Sequence, residues 1–271
     1  MARFVKIRQW VASYKPSGQQ FVLSNSSKNV TLDTSFTDAC ERLEQDGYYQ
    51  GLRLSPSILS ELVDFAHINP CYANRQPHLK FYLHNREKME AELQRPIKIA
   101  GYFNTHESCP AFQALKQDPV ILGLAANYLG HEPKYHRGEI AWSFPRPASG
   151  AEQLAAAQVL HCDINDYKTV KLFFYLTDVD AGCGPHVYLR GTHRGRRPLH
   201  QLLGQRCANI ADEQLIETYG SDRVTEVHGP AGFGFAGDPY TFHKGVLPSR
   251  QPRLLLQLEF GICHYKTWYF S

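Results

Sequence analysis

The apolar positions of the chain change period near residue 133. Before it they recur at three- and four-residue spacings, which predicts helices; after it they alternate in short runs, which predicts strands. In TSFTDACERLEQDG, Phe36, Ala39 and Leu43 share one helical face, Thr34, Ser35 and Thr37 are placed to cap its start, and Gly47 stops it. A second helix is expected after Ser55, with Pro56 in the first turn, where its missing N–H is not needed. NREKMEAELQR and CPAFQALKQDPVILGLAANYLG predict more helix, the latter broken or kinked near Pro119 and ended by Gly130.

The second half carries KYHRGEIAWSF, AQVLHCD, TVKLFFYLT, HVYLR, VTEVHG, GFGFAG, YTFHKGV and RLLLQLEFG, each rich in β-branched and aromatic residues and bounded by Gly or Pro. The expected class is mainly β with α, a barrel or sandwich under helical cover. A single domain over residues 1–271 is expected, with a mostly helical part over about 1–132 and a barrel over about 133–271. Residues 191–222, richer in basic and helix-forming types, read as an insertion between strands. In the last strand Leu254, Leu256, Leu258 and Phe260 make one apolar face, while Arg253, Leu255, Gln257 and Glu259 make the other. The apolar face should lie under the helices, which turns Arg253 toward the interior.

Composition narrows the function classes. No window reaches the roughly 18 consecutive apolar residues of a membrane span. A net charge of +3 is too mild for a nucleic-acid footprint, so a small molecule is the expected partner. Seven scattered cysteines without a C-x-x-C pair point to reduced thiols in a cytoplasm. Lys6 and Arg8 interrupt the N-terminal apolar residues, so no secretory signal is read there and the sequons at Asn25 and Asn29 carry no weight. Phe4, Ile7, Val11 and Tyr14 fall on one helical face with basic neighbours. That face either docks on its own domain or makes a peripheral contact with an anionic membrane.

The chemistry begins at VLHCD. In a strand His161 and Asp163 point to one side while Cys162 points to the other, so the pair can share an ion. Eighty residues later YTFHKGVLPSRQPR offers His243 and then Arg253. Two histidines and a carboxylate on one face of an octahedron are the facial triad of non-haem iron oxygenases. An inward Arg253 needs an anion, because an unpaired buried charge is costly, and its planar fork suits a carboxylate. The strand TVKLFFYLT places Lys171 with Phe173 and Tyr175 on a single face, directed either into the same pocket or to the surface.

Residues from about 34 to 262 resemble the phytanoyl-CoA dioxygenase family of Fe(II)/2-oxoglutarate oxygenases, through HCD, YLTDVDAGCGPHVYLRGTHR and HKGVLPSRQPR. The resemblance implies a double-stranded β-helix, a jelly-roll or cupin-like barrel, with N-terminal helices packed on the major sheet. It implies that His161, Asp163 and His243 bind iron and that Arg253 binds the distal carboxylate of 2-oxoglutarate, with O2 as oxidant and hydroxylation of an aliphatic C–H as the outcome. Arg190 and Thr192 depart from the family's usual Pro and Ser. Gly245 stands where relatives often place a Ser that helps hold the co-substrate, a task Lys171 could share.

Other motifs are set aside. GFGFAG has the glycine spacing of a dinucleotide site, but Asp238 and Pro239 follow where a helix should begin. HEPKYH has Tyr135 where a zinc protease needs histidine. For His186 and His193 local hydrogen bonding is expected over metal binding. Two rival readings use the same ligands: a cupin-like metal-dependent isomerase or lyase, and a ligand-binding barrel without chemistry. Arg190, Arg194, Arg196, Arg197 and Arg206, following a ligand-bearing strand pair, predict an anionic substrate if they border the pocket mouth.

Overall fold

The computed structural model describes residues 1–14, 24, 26–145 and 158–263; Asn25 and the first residue of the AQVLHCD segment lie outside them. The helices are α1 (Val5–Ser13), α2 (Phe36–Asp46), α3 (Pro56–Ile68), α4 (Arg86–Leu93), α5 (Thr105–Ser108), α6 (Pro110–Lys116) and α7 (Pro119–Leu129), with two more after residue 197. Ser35 caps α2 by accepting the Asp38 N–H at 3.1 Å, and Gly47 ends it at φ 81°. Pro119 breaks rather than kinks its helix: it opens α7, whose cap Asp118 accepts from Val120 N at 2.9 Å.

The strands are β1 (Val30–Leu32), β2 (Tyr48–Leu54), β3 (Cys71–Ala73), β4 (Lys80–Phe81), β5 (Ile99–Gly101), β6 (Lys134–Ser143), β7 (Thr169–Tyr175), β8 (His186–Leu189), β9 (Val224–Val227), β10 (Phe233–Gly237), β11 (Phe242–Gly245) and β12 (Arg253–Gly261). They form an antiparallel major sheet in the order β1-β2-β10-β7-β12-β6-β5-β3-β4 and a minor sheet β11-β8-β9. The minor sheet faces the major one through Tyr188 and Val227 packed on Phe173, Tyr175 and Phe235. The two sheets are not closed into a continuous barrel. The β8–β9 connection carries the helices Pro198–Leu203 and Asp212–Tyr219, in the segment predicted as an insertion.

One core joins the helices to the outer face of the major sheet. Leu254, Leu256, Leu258 and Phe260 of β12 and Val170, Leu172 and Phe174 of β7 meet Leu43 of α2, Leu62 of α3, Phe112 of α6 and Leu124 of α7. The alternation of β12 therefore has its predicted consequence. Its opposite face, with Arg253 and Glu259, is buried against the minor sheet side of the molecule.

Two local expectations are corrected. Five strands lie within the half predicted as mostly helical, and β2 pairs with both β1 and β10. Its alternation is masked by Gly51, whose φ of +146° matches a register shift opposite Gly234 and Phe235. The other is AQVLHCD, which forms no regular strand. Its pairing with β11 is one bridge, His161 to His243, closed by two N–H···O bonds of 3.0 and 2.9 Å. Asp163 N then donates to the Pro239 carbonyl at 2.8 Å, so the segment stays extended without a ladder.

Candidate metal centre

His161, Asp163 and His243 converge: one ligand atom from each lies within 4.8 Å of the others. The imidazole centroids are 4.4 Å apart, and His161 Nε2 is 3.9 Å from Asp163 Oδ1. Each histidine is held the same way. His161 Nδ1 lies 2.8 Å from the Val159 carbonyl and His243 Nδ1 lies 2.9 Å from the Thr241 carbonyl. A carbonyl only accepts, so both Nδ1 atoms carry the proton and both Nε2 atoms keep a lone pair. Burial, with His161 beside it, outweighs the pull of Asp163 and lowers His243 to about 3. Both features suit a metal ligand, which must be neutral and correctly tautomeric.

Asp163 is held by cations. Burial would raise its carboxyl, but the Lys171 ammonium against Oδ2, together with His243 and His161, keeps it well below the usual carboxylate range. Arg137 Nη2 is 3.9 Å from the same oxygen. Behind Lys171 sits Glu259, its partner across the β12–β7 register, at 3.7 Å. Glu259 also accepts from Arg137 Nε at 2.8 Å and Asn165 Nδ2 at 2.7 Å, and lies 3.6 Å from His136 Nδ1. Burial raises its pKa, and these partners, Lys171 foremost, reverse the effect and bring it down to about 2. Sequence reasoning placed Glu259 on the inward face but gave it no role; Arg137, on the matching face of β6, had the same unused signal.

Arg253, the first residue of β12, stands opposite Ser143 of β6. Its guanidinium reaches toward β11 beside Gly245, two residues after His243, whereas Lys171 lies against Asp163. Arg253 is 5% exposed, and only Nη2 finds a partner, Ser143 Oγ at 3.5 Å. Nε and Nη1 have none, and no carboxylate among the described residues pairs with this guanidinium. A Cβ on Gly245 would come within 3.3 Å of Nη2, so the glycine leaves room beside the guanidinium.

His186 enters the same interior. Its ring packs on Phe173 and Phe235 at centroid distances of 4.6 and 5.2 Å, and its buried Nδ1 has no partner among the described residues. Burial first, then the charge of Arg253, hold it neutral, well below the ordinary histidine value. His193 is elsewhere, donating from Nε2 to the Glu44 carbonyl at 3.1 Å.

The basic segment after β8 engages the protein itself. Arg190, Arg194 and Arg197 donate to the carbonyls of Asp222, Glu44 and Thr218. Arg196 is buried between the rings of Tyr240 and Phe242, with Nη1 2.7 Å from Cys162 Sγ. Arg206 lines a separate cavity with Met1 and Arg3.

No protein-family model matches the chain, and no curated protein matches its sequence. Solved structures do match in fold. The non-heme alpha-ketoglutarate-dependent epimerase SnoN from nogalamycin biosynthesis is 13% identical, with a TM-score of 0.55 over 83% of this chain and 80% of its own. AviO1 from Streptomyces viridochromogenes is 13% identical, with a TM-score of 0.54 over 86% of this chain and 97% of its own. EctD from S. alaskensis, in a structure with bound Fe, is 15% identical, with a TM-score of 0.52 over 90% of this chain and 88% of its own. What these structures share with this chain is the fold, mainly β with helices and arranged as a double-stranded β-helix.

Proposed function

We propose that the chain, as one domain, is an Fe(II)- and 2-oxoglutarate-dependent oxygenase of the phytanoyl-CoA dioxygenase family that hydroxylates an aliphatic C–H of a small molecule. The observation that carries this reading is the buried guanidinium of Arg253, with two donors unpaired, set beside Gly245 on the strand that carries His243 of the His-Asp-His cluster. A buried, unpartnered cation is a cost that only a bound anion offsets. SnoN has been seen with Fe3+ and alpha ketoglutarate, and EctD with 2-oxoglutarate, in the same fold.

The residues fit both groups. His161 and His243 present free Nε2 lone pairs and Asp163 is a deprotonated carboxylate, a donor set suited to Fe(II). Arg253 would take the distal carboxylate of the oxoacid through a charge-assisted fork, and His186, neutral and unpaired, would add a further hydrogen bond. When bound, iron and 2-oxoglutarate supply the oxidising power: one atom of O2 enters the co-substrate, which leaves as succinate and CO2, and the other enters the substrate C–H as hydroxyl.

This chain's own residues orient and protect that chemistry. Lys171 and Arg137 fix Asp163 and keep its proton off. Phe173, Phe235 and Tyr188 wall the interior against water. Arg137, with 37% of its side chain exposed beside Asp163, offers a cation to an anionic group on the substrate. A cupin-like isomerase or lyase would use the three ligands but not a buried oxoacid clamp. The seven cysteines, all unpaired, support a cytoplasmic location.

Anaerobic titration tests the reading. Fe(II) with 2-oxoglutarate should give a visible charge-transfer band that Fe(II) alone does not, and that Arg253→Ala weakens at limiting co-substrate. Metal binding without that band would overturn it.

A further inference from the structure

Five of the seven large apolar side chains exposed among the described residues gather on two segments: Met1 (80%), Trp10 (75%) and Tyr14 (79%), and Leu199 (62%) and Leu202 (57%) of the helix Pro198–Leu203. The segments touch. Val5 N donates to Gln201 Oε1 at 3.0 Å, and Arg3 Nη1 donates to the Leu202 carbonyl at 3.1 Å. Helix α1 is pinned by its opposite side, where buried Arg8 donates to the Asp166 carbonyl at 2.8 Å and packs over the Tyr240 ring at 4.2 Å. Of the face read from sequence as docking on the domain or touching a membrane, Phe4, Ile7 and Val11 are half-buried by this docking and Tyr14 is exposed. Lys6 and Trp10 are left exposed on successive turns of α1, and Tyr14 follows at its C-terminal end. Single exposed apolar residues are ordinary, but five of them gathered on two segments that touch mark an interaction surface.

Charge identifies the partner. Residues 1–14 and 191–210 contain Arg3, Lys6, Arg8, Arg194, Arg196, Arg197 and Arg206 and no Asp or Glu. Arg8 and Arg196 are buried, whereas the other five are exposed. A cavity of about 530 Å³ adjoins both segments and is lined by Arg3 and Arg206. Asp166, the one carboxylate in its lining, already accepts from the N–H groups of Tyr167 and Cys263. Cations interleaved with Trp, Tyr and Leu on one rigid face match the interface of a bilayer bearing negative headgroups. A second copy docked about a two-fold axis would set these cations against each other.

We propose that this face docks the protein on anionic lipid bilayers, with Trp10, Tyr14, Leu199 and Leu202 entering the interfacial region and Lys6, Arg197 and Arg206 over the headgroups. The inference is independent of the oxygenase reading, and its test involves no turnover. The full chain is sedimented with vesicles of phosphatidylcholine alone and of phosphatidylcholine with about 30 mol% phosphatidylglycerol, in rising salt. The expected result is binding to the anionic vesicles that salt weakens, with a blue-shifted Trp10 emission absent from Trp10→Phe. Lys6→Glu and Arg206→Glu should each lower the partition coefficient about fivefold or more. Trp10→Ala combined with Leu202→Ser should lower it further, at unchanged circular dichroism and unchanged Mn(II) binding. The proposal is overturned by no binding to anionic vesicles at low salt, by binding that these variants leave unaltered, or by a dimer in solution that Trp10→Ala dissociates.

Discussion

The Lys171 ammonium rests on the carboxylate of Asp163, the one anionic member of the candidate triad, and both sit above Glu259. A ligand carboxylate held by an outer partner keeps its orientation when the metal is absent, and losing such a partner typically lowers metal affinity 10- to 100-fold. Lys171→Met is therefore expected to weaken Mn(II) or Fe(II) binding by about tenfold or more, measured by calorimetry without oxygen. Unchanged or tighter binding would show that Lys171 competes with the metal instead of supporting its ligand.

Arg253 makes two predictions of opposite sign. Arg253→Ala should raise the 2-oxoglutarate requirement by about 2 kcal/mol or more, with Arg253→Lys recovering only part, because a point charge lacks the fork. Without co-substrate, Arg253→Met should make the chain more resistant to heat, since it removes a buried charge that no described carboxylate pairs. A lowered Tm for Arg253→Met would mean that the guanidinium has a structural anion after all.

His186→Leu keeps the ring's volume approximately while removing its unpaired Nδ1. The expected outcome is a several-fold rise in the 2-oxoglutarate dissociation constant, on the scale of one neutral hydrogen bond, with Mn(II) affinity unchanged. Equal loss of both affinities would place His186 as a packing residue of the metal site.

His136 supplies the pH dependence. Burial lowers its pKa, but Glu259, the Cys263 carbonyl and Asp166 outweigh that and raise it above the ordinary 6.5. A histidine whose folded pKa is raised adds stability that is complete below 6.5 and is lost as pH rises through the folded value. Urea unfolding across neutral to mildly alkaline pH should show the wild type losing this stability while His136→Gln does not. Parallel profiles for the two proteins would remove His136 from the account.

The alternation in RLLLQLEFG was enough to sort β12 into a core face and an inward face, because a strand's period of two is set by its backbone. The helix caps at Ser35 and Gly47, and the grouping of His161, Asp163 and His243, were legible for a similar reason: each depends on local geometry or on recognised ligand chemistry. The extent of pairing was not. HCD holds its ligands through one bridge and a contact to Pro239, which no local periodicity encodes.

The sequence by itself determined which residue types could bind a metal and an oxoacid, and that Arg253 would face inward. Only the tertiary structure decided who neutralises whom. Glu259 meets Arg137 and Asn165 across 122 and 94 residues of chain, Lys171 turns to Asp163, and Arg196 disappears between two rings while Arg253 stays unpaired. Charge pairing inside a protein is chosen by the distance and burial that packing imposes on residues remote in sequence, so it takes form only when the sheets and helices have met.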